Sequence, residues 1–402
     1  VKPAAEWALR QGHPWLFDQS ITQLSHDGAA GDLGVVFDSK RRFLAIGLYD
    51  PYSSIRVRVL QHRKPAPINQ DWFNAKLASA AQLRAPLLEQ PPETATTGYR
   101  LVHGENDGFP GLVIDRYADT AVLQFYTPAW IPHLKDVLSA LKSVAPVERL
   151  VLRLDQTMVQ HPQCLYGLRD GMILFGSDID NSIIFQENGL RFEVNPIHGQ
   201  KTGFFLDQRD NRARVENFAH GKSVLNVFSY TGGFSVYAAR GGARRITDLD
   251  SSQPALDAAN RNLALNQNIP AVAAAVHENI AGDAFNALSE MKKNNRRFDI
   301  VIVDPPSFAK NKTQIKRAIS AYARLTRLSL GVLRPGGTLV QASCSSRVNT
   351  ETFFKTVHQA AVRAGRPLQE IERTGHALDH PITFKEGAYL KCIFAVAPRA
   401  SR

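Results

Sequence analysis

Apolar runs of four to nine residues, broken by Gly, Pro, Asn and Asp, divide the 402-residue chain into stretches of different rhythm. In the first seventy residues the runs "GDLGVVFD", "RFLAIGLYD" and "SIRVRVL" are rich in β-branched and aromatic residues and bounded by turn formers. They predict short strands in a small β-barrel or sandwich, with a short helix before "GHPWLF". "HRKPAPINQ" (62–70) holds two prolines and no apolar period, which predicts a linker. Beyond it, Phe73, Leu77, Ala80, Ala81 and Leu83 recur at helical spacing. The runs "GLVIDRYAD", "TAVLQFY" and "ERLVLRLD" then predict strands, and "LKDVLSALKSV" a helix between the last two. "IIFQENGLRFEVNPI" predicts a hairpin turned at Asn188-Gly189.

From about residue 221 the rhythm becomes strand, helix, strand. The strand candidates are 223–228, 244–249, 271–277, 298–304 and 336–344, separated by helical runs, with "AYLKCIFAVA" last. Such alternation predicts an α/β fold built on a parallel, doubly wound sheet. The expected domains are therefore 1–70, 71–190 and 191–402. No repeat of 20–50 residues and no low-complexity tract interrupts them.

Composition narrows the function classes. The formal charge is +11, which favours polyanionic partners, nucleic acid above all. A merely basic protein is the plain alternative. Three scattered cysteines, Cys164, Cys344 and Cys392, make neither a disulfide framework nor a CxxC metal pattern. A reducing compartment, hence the cytoplasm, and no metal are the expectations. No apolar run reaches membrane-spanning length, so no membrane partner is expected. The opening residues "VKPAAEWALRQGHPWLF" lack a signal peptide's charged start and apolar middle, and no Met stands first.

The candidate chemistry sits where strands end. "LNVFSYTGGFSVYAARGG" follows one strand and opens a helix; Gly232 and Gly233 let a ligand approach the backbone there. A tight strand-to-helix turn would use the same residues. Asp250 closes the next strand, eighteen residues past Gly232, where a ribose diol is gripped in doubly wound folds. Asp283 follows the third strand and could accept from an adenine amino group. Both acids could instead cap helices. In "FDIVIVDPPSFAK", Asp304 ends a strand and Pro305 and Pro306 stiffen the rim. An acid beside Phe308 suits a flipped planar base, which needs stacking and a hydrogen-bond partner; Phe308 packed in the core is the alternative. Residues 309–334 then carry Lys310, Lys312, Lys316, Arg317, Arg324, Arg327 and Arg334 without one acid, as phosphate contacts or as a solvated helix face. Cys344, in "GGTLVQASCSSR", is either a small hydrophobe at a core edge or a nucleophile.

The set "GHPWLF", "GQKTGFFLDQRDNR", "NVFSYTGGFS", "DPPSFAK", "SCSS" and "DHPITFKEGAYLKC" resembles, in order and through nearly the whole chain, the ribosomal large subunit methyltransferase I family. The resemblance implies an N-terminal PUA domain, a central α+β domain and a C-terminal Rossmann-like class I methyltransferase. It implies S-adenosyl-L-methionine as cofactor, ribosomal RNA as partner, and C5 of cytosine as the methylated atom. Carried over by position, Asn226, Phe228, Tyr230, Thr231 and Gly232 would border the methionine end of the cofactor. Asp250 would hold the ribose, Asp283 and Ala284 the adenine, and Gln208 would approach from the preceding segment. Asp304 would lie between cofactor and base, with Pro305, Pro306, Phe308 and Lys310 on the substrate side. Cys344 matches the family's nucleophilic cysteine. Asn226 stands where an acid is common, and no cysteine accompanies "DPP".

Two other functions fit parts of the pattern. "DPPSF" resembles the motif that aligns a nitrogen lone pair, as in methylation of guanine or another base amino group. A catalytically silent RNA-binding protein is the third reading. A homodimer stays open.

Overall fold

The computed structural model describes residues 1–180, 182–309 and 311–398. They form two compact units. One comprises Val1–Gly189, Val194–Leu206 and Leu378–Gly387; the other comprises Leu190–Glu193, Asp207–Ala377 and the chain from Ala388.

The first unit opens with α1 (Pro3–Arg10), started by Pro3, and a four-stranded antiparallel sheet. Its strands β1 (Trp15–Phe17), β2 (Leu33–Phe37), β3 (Phe43–Tyr49) and β4 (Ile55–His62) lie in the order β1-β4-β3-β2. Leu9, Leu16, Val36, Leu44, Val57 and Val59 bury together beneath them. The helix predicted over 71–88 is α2 (Gln70–Leu88), capped by Asn69 Oδ1, which accepts from Trp72 N. A five-stranded sheet follows, β5 (Gly98–His103), β6 (Leu112–Tyr117), β7 (Thr120–Phe125), β8 (Arg149–Leu154) and β9 (Met172–Phe175), paired in chain order. Between β7 and β8, α3 (Leu134–Val144) makes the crossover that lets them run parallel. Apolar residues of α2 and α3 (Phe73, Leu77, Val137, Leu141) bury against Leu112, Ile114, Leu123 and Leu150 of the sheet. One helical turn, α4 (Gln156–Val159), follows β8. Arg84 of α2 is fully buried and held by both oxygens of Asp107 and by the carbonyls of Ala80, Arg100 and Asp379. β10 (Ile183–Glu187) and β11 (Leu190–Val194) flank Asn188 and Gly189, whose φ values of 49° and 78° are those a type I′ turn requires.

The second unit is the doubly wound sheet. After α5 (Arg209–Phe218) come β12 (Ser223–Val227), α6 (Gly233–Arg240), β13 (Arg245–Asp250), α7 (Gln253–Ala264), α8 (Pro270–Ala274), β14 (Val276–Ala281), α9 (Ala284–Lys293), β15 (Phe298–Val303), α10 (Ile315–Val332), β16 (Leu333–Ser343), α11 (Thr350–Arg363), β17 (Gln369–Thr374) and β18 (Lys391–Val396). The strand order is β14-β13-β12-β15-β16-β18-β17. All pairs from β14 to β16 are parallel; β18 enters antiparallel to both its neighbours. Every residue of β12 is buried, as a central parallel strand covered on both faces must be.

One strand expected from the apolar rhythm is displaced. Residues 271–277 were expected as a strand, but Pro270 starts a short helix through Ala274, and β14 runs instead over Val276–Ala281. Alanine favours helix, and an edge strand with one half-solvated face needs no apolar run to mark it. The polar edge strand β17 escapes the apolar rhythm for the same reason.

Candidate functional site

β12 and β15 are neighbours, with Val227 beside Val303, and the strand order reverses between them. The loops that follow them therefore leave the carboxyl edge of the sheet side by side, at the switch point where doubly wound folds bind ligands.

The first loop, 228–232, is tightly wound. Phe228, Tyr230 and Gly232 have φ of 62°, 48° and 74°. For the two aromatic residues this region costs on the order of 1–3 kcal/mol each, a strain that concentrates at functional loops. Four hydrogen bonds to β13 and α7 hold it. Phe228 N and Ser229 N donate to Leu249 O, and Tyr230 N donates to Asp250 Oδ2. Asn262 Nδ2 donates to Thr231 O from α7. Gly232 admits no side chain: a Cβ would lie 2.7 Å from Ala259 Cβ. No side chain caps the N-terminus of α6, so its first N–H groups face the loop with a positive helix end behind them. The buried hydroxyls Ser229 Oγ and Thr231 Oγ1 have no hydrogen-bond partner among the described residues. Uncapped N–H donors and unsatisfied hydroxyls around a glycine cradle fit a polar, carboxylate-bearing ligand such as the methionine part of S-adenosylmethionine.

Asp250 ends β13, and Asp283 stands two residues past β14. Asp250 is half-buried; Oδ2 takes Tyr230 N and Oδ1 takes Ser252 N, which leaves one lone pair on each oxygen for a diol. Asp283 caps α9 by accepting from Asn286 N, as the plain reading had it; its exposed carboxylate and the buried Ala284 follow β14 at the same edge of the sheet. Asn226 lies beneath the loop, 1% exposed, and donates to Asp248 Oδ1 and Ser235 Oγ. His277 Nε2 lies 2.8 Å from Asp248 Oδ2. Asn226 thus belongs to a buried polar bracket under Gly232. Gln208 is also buried, its Oε1 accepting from Asn211 Nδ2 at the start of α5.

The second loop carries Asp304, half-buried, whose N donates to Val227 O. Pro305 is buried and Pro306 exposed. Phe308 is half-buried and packs on the core, its ring 5.2 Å from that of Tyr322, so it combines the rim and the core readings. Lys310 lies outside the described residues. Of the basic run, Arg334 pairs with Asp299, so the run is not wholly unopposed; Lys312 precedes α10 in a 3₁₀ turn, while Lys316 lies on it.

Cys344 follows the last residue of β16, which pairs with β15. Its thiol donates weakly to Pro305 O at 3.8 Å, so the sulfur stands next to the Asp304-Pro305 rim. It is half-exposed, whereas Cys164 and Cys392 are buried. Burial, and then Asp304, push the Cys392 thiol far above its ordinary value and leave it inert.

One residue of this neighbourhood was not on the sequence-based set. Lys391 lies opposite Ser343 across the antiparallel pair of β16 and β18. It is 2% exposed, and its ammonium donates to Ser345 O at 2.5 Å and Val348 O at 2.7 Å, clamping the turn after Cys344. Burial lowers its pKa to about 8, while the Cys344 thiol opposes the shift, as a negative partner would. A lysine inside the apolar run "AYLKCIFAVA" was the visible signal. Tyr322 OH accepts from Ser343 Oγ, and burial raises the phenol to about 12.

The chain is similar along nearly its whole length to known proteins. A family described as S-adenosylmethionine-dependent methyltransferase matches residues 171–388, and a PUA-like domain matches residues 1–62. The chain is 46% identical to a ribosomal RNA large subunit methyltransferase of Deinococcus radiodurans, over 98% of this chain and 96% of that one. It is 37% identical to ribosomal RNA large subunit methyltransferase I of Pseudoalteromonas translucida, over 96% and 95% of the two chains. A methyltransferase crystallised with SAH shares the fold at a TM-score of 0.83, with 23% identity over 98% of each chain.

Proposed function

The chain belongs to the S-adenosylmethionine-dependent ribosomal RNA large subunit methyltransferases, and from that premise we propose that it forms 5-methylcytosine in ribosomal RNA through a covalent adduct between Cys344 and C6 of the base. The observation that carries the reading is the half-exposed thiol of Cys344 beside Pro305, at the ends of paired strands, in a chain whose other cysteines are buried.

The roles follow from the chemistry of the ring. Cytosine C5 is a poor nucleophile. Addition of the Cys344 thiolate to C6 forms the S–C6 bond and moves the C5–C6 π electrons into the ring, so that C5 becomes enamine-like. Asp304 at N3 or N4 would hold a proton where that electron density collects. When bound, S-adenosylmethionine supplies an electrophilic methyl group to C5. A base, water included, then takes the C5 proton, the C6–S bond breaks, and the thiolate leaves with the double bond restored. Lys391 would favour the thiolate at both ends of the cycle, as a buried cation beside a nucleophilic cysteine does. Gly232, Asp250, Asp283 and Ala284 would hold the cofactor against this base, with Gln208 bordering it.

The test is nucleoside mass mapping of large-subunit rRNA after incubation with the protein and isotope-labelled cofactor. Label in 5-methylcytidine supports the assignment; label in methylated guanosine or another amino group overturns it. RNA carrying 5-fluorocytosine has no C5 proton to lose, so it should remain attached to the protein through Cys344.

A further inference from the structure

A second cleft, about 890 Å³ in volume, opens in the methyltransferase unit at the other end of the sheet. Lys292 ends α9, Arg297 precedes β15, Arg324 and Arg327 stand on the second half of α10, and Arg366 follows α11. The lining thus gathers five cations and no carboxylate among the described residues. It lies at the amino-terminal ends of β15 and β16. The catalytic loops lie at their carboxyl ends, about 20 Å away along a six-residue strand.

The fold accounts for some of these charges. Arg366 donates to the carbonyls of Leu330, Leu333 and Arg334 and so closes the end of α10. Burial and the nearby Arg297 depress its pKa, which marks mutual repulsion in the cleft. Lys292 lies in the last turn of α9, where a cation suits the helix dipole. Arg324 and Arg327 have no such role: α10 carries no basic residue in its last turn, and both are exposed. Arg324 lies over the Phe285 ring at 4.7 Å.

The spacing along α10 is informative. Lys316, Arg317, Ser320, Arg324 and Arg327 are all exposed, and at 100° per residue they fall within one 100° sector. The helix has 18 residues and no acid, so it is about 27 Å long and basic throughout one face. It starts after the loop that carries Asp304 and ends at the cleft. Like charges lined up in this way repel one another, and the Arg324–Phe285 contact engages only one of them; the row is complementary to a chain of phosphates.

We propose that this face of α10 and the cleft at its end form a track for the phosphate backbone of the RNA substrate, which enters at the catalytic edge and is anchored at the opposite end of the sheet. The inference rests on the ribosomal RNA reading above and adds the surface that holds RNA remote from the target base. Such contacts position without reading sequence.

The test compares the wild-type chain with a Lys292→Ala/Arg324→Ala/Arg327→Ala variant in binding to transcribed large-subunit rRNA by fluorescence anisotropy across a salt series. Each lost phosphate contact removes about 0.7–0.9 from the slope of log affinity against log salt, so three lost contacts should lower the slope by about 2–3 and raise the Kd at 0.15 M salt on the order of 100-fold. A control variant, Lys222→Ala/Arg245→Ala/Lys355→Ala, removes the same charge elsewhere and should change both far less. Cofactor affinity by calorimetry should stay unchanged in both. Arg327→Glu alone provides a milder substitution with the same expected direction. Equal slopes for wild type and cleft variant, or an equal loss in the control, overturn the track. A cleft that takes up inorganic phosphate without any effect of the variants on RNA affinity also overturns it. Failure of the wild type to bind rRNA would instead overturn the substrate reading itself, and the track with it.

Discussion

Replacing Lys391 by Met separates the electrostatic part of the site from its packing. The two side chains are similar in length, so the space opposite Ser343 stays filled. Two effects on stability oppose each other. The buried ammonium has a pKa of about 8 in place of 10.5, so keeping it charged at pH 7 costs about 3 kcal/mol. Its removal leaves the carbonyls of Ser345 and Val348 without this donor, at about 1–3 kcal/mol each. The net change in unfolding free energy at pH 7 should therefore stay within about 3 kcal/mol, small for a buried charged residue. The pH dependence is sharper. A lysine whose folded pKa is depressed binds a proton in the unfolded chain that the folded chain has lost, between pH 8 and 10.5. Wild-type stability should therefore gain from this group as pH rises through that window and lose it as pH falls through about 8; the Met variant should lack the increment. Denaturant titrations of both proteins at pH 7 and 9.5 measure the difference, in which other titrating groups cancel. The functional prediction is read by alkylation of Cys344 with iodoacetamide against pH. Loss of a neighbouring cation should move the midpoint upward. An unchanged alkylation profile together with an unchanged stability difference between the two pH values would refute the coupling of Lys391 to the thiol.

Three further outcomes follow from the geometry. Asp250→Ala frees Tyr230 N and Ser252 N and removes the diol acceptor; the loss of charged hydrogen bonds worth about 1.5–3 kcal/mol should weaken S-adenosylmethionine about 10- to 100-fold by calorimetry, with the fold intact by circular dichroism. Gly232→Ala forces a Cβ to within 2.7 Å of Ala259 in a left-handed backbone, so it should lower the melting temperature and cofactor affinity together, by about 2–4 kcal/mol in stability. Arg84→Ala leaves the Asp107 carboxylate without its bidentate partner in the first unit, and should cost about 3–5 kcal/mol in a denaturant titration.

The architecture of the second unit was legible because apolar residues run through its central parallel strands, which are covered on both faces: Val224, Leu225 and Val227 in β12, Ile300, Val301, Ile302 and Val303 in β15, and Leu339, Val340 and Ala342 in β16. Edge strands carry no such mark, so β14 was placed five residues early and β17 was missed. The glycine loop, the "DPP" rim and Asp250 were readable as well, because a turn that needs Gly, a rigid Pro-Pro and an acid at a strand end each impose a residue type on a position. Lys391 and the Asn226–Asp248–His277 bracket were not readable in that way. Their meaning depends on which strands pair and in what register: Lys391 reaches the turn after Cys344 only because β18 runs antiparallel to β16.

Sequence by itself thus determined the fold class, the ends of the strands and the kinds of residue that stand there, since those follow from local periodicity and backbone constraint. Only the tertiary structure decided that Cys344 is the accessible thiol and Cys392 the buried one, and that a desolvated lysine stands next to the first. It also decided that the cations on one face of α10 are exposed and lead to a basic cleft. Exposure and charge environment are properties of residues brought together from distant parts of the chain, and no local pattern encodes them.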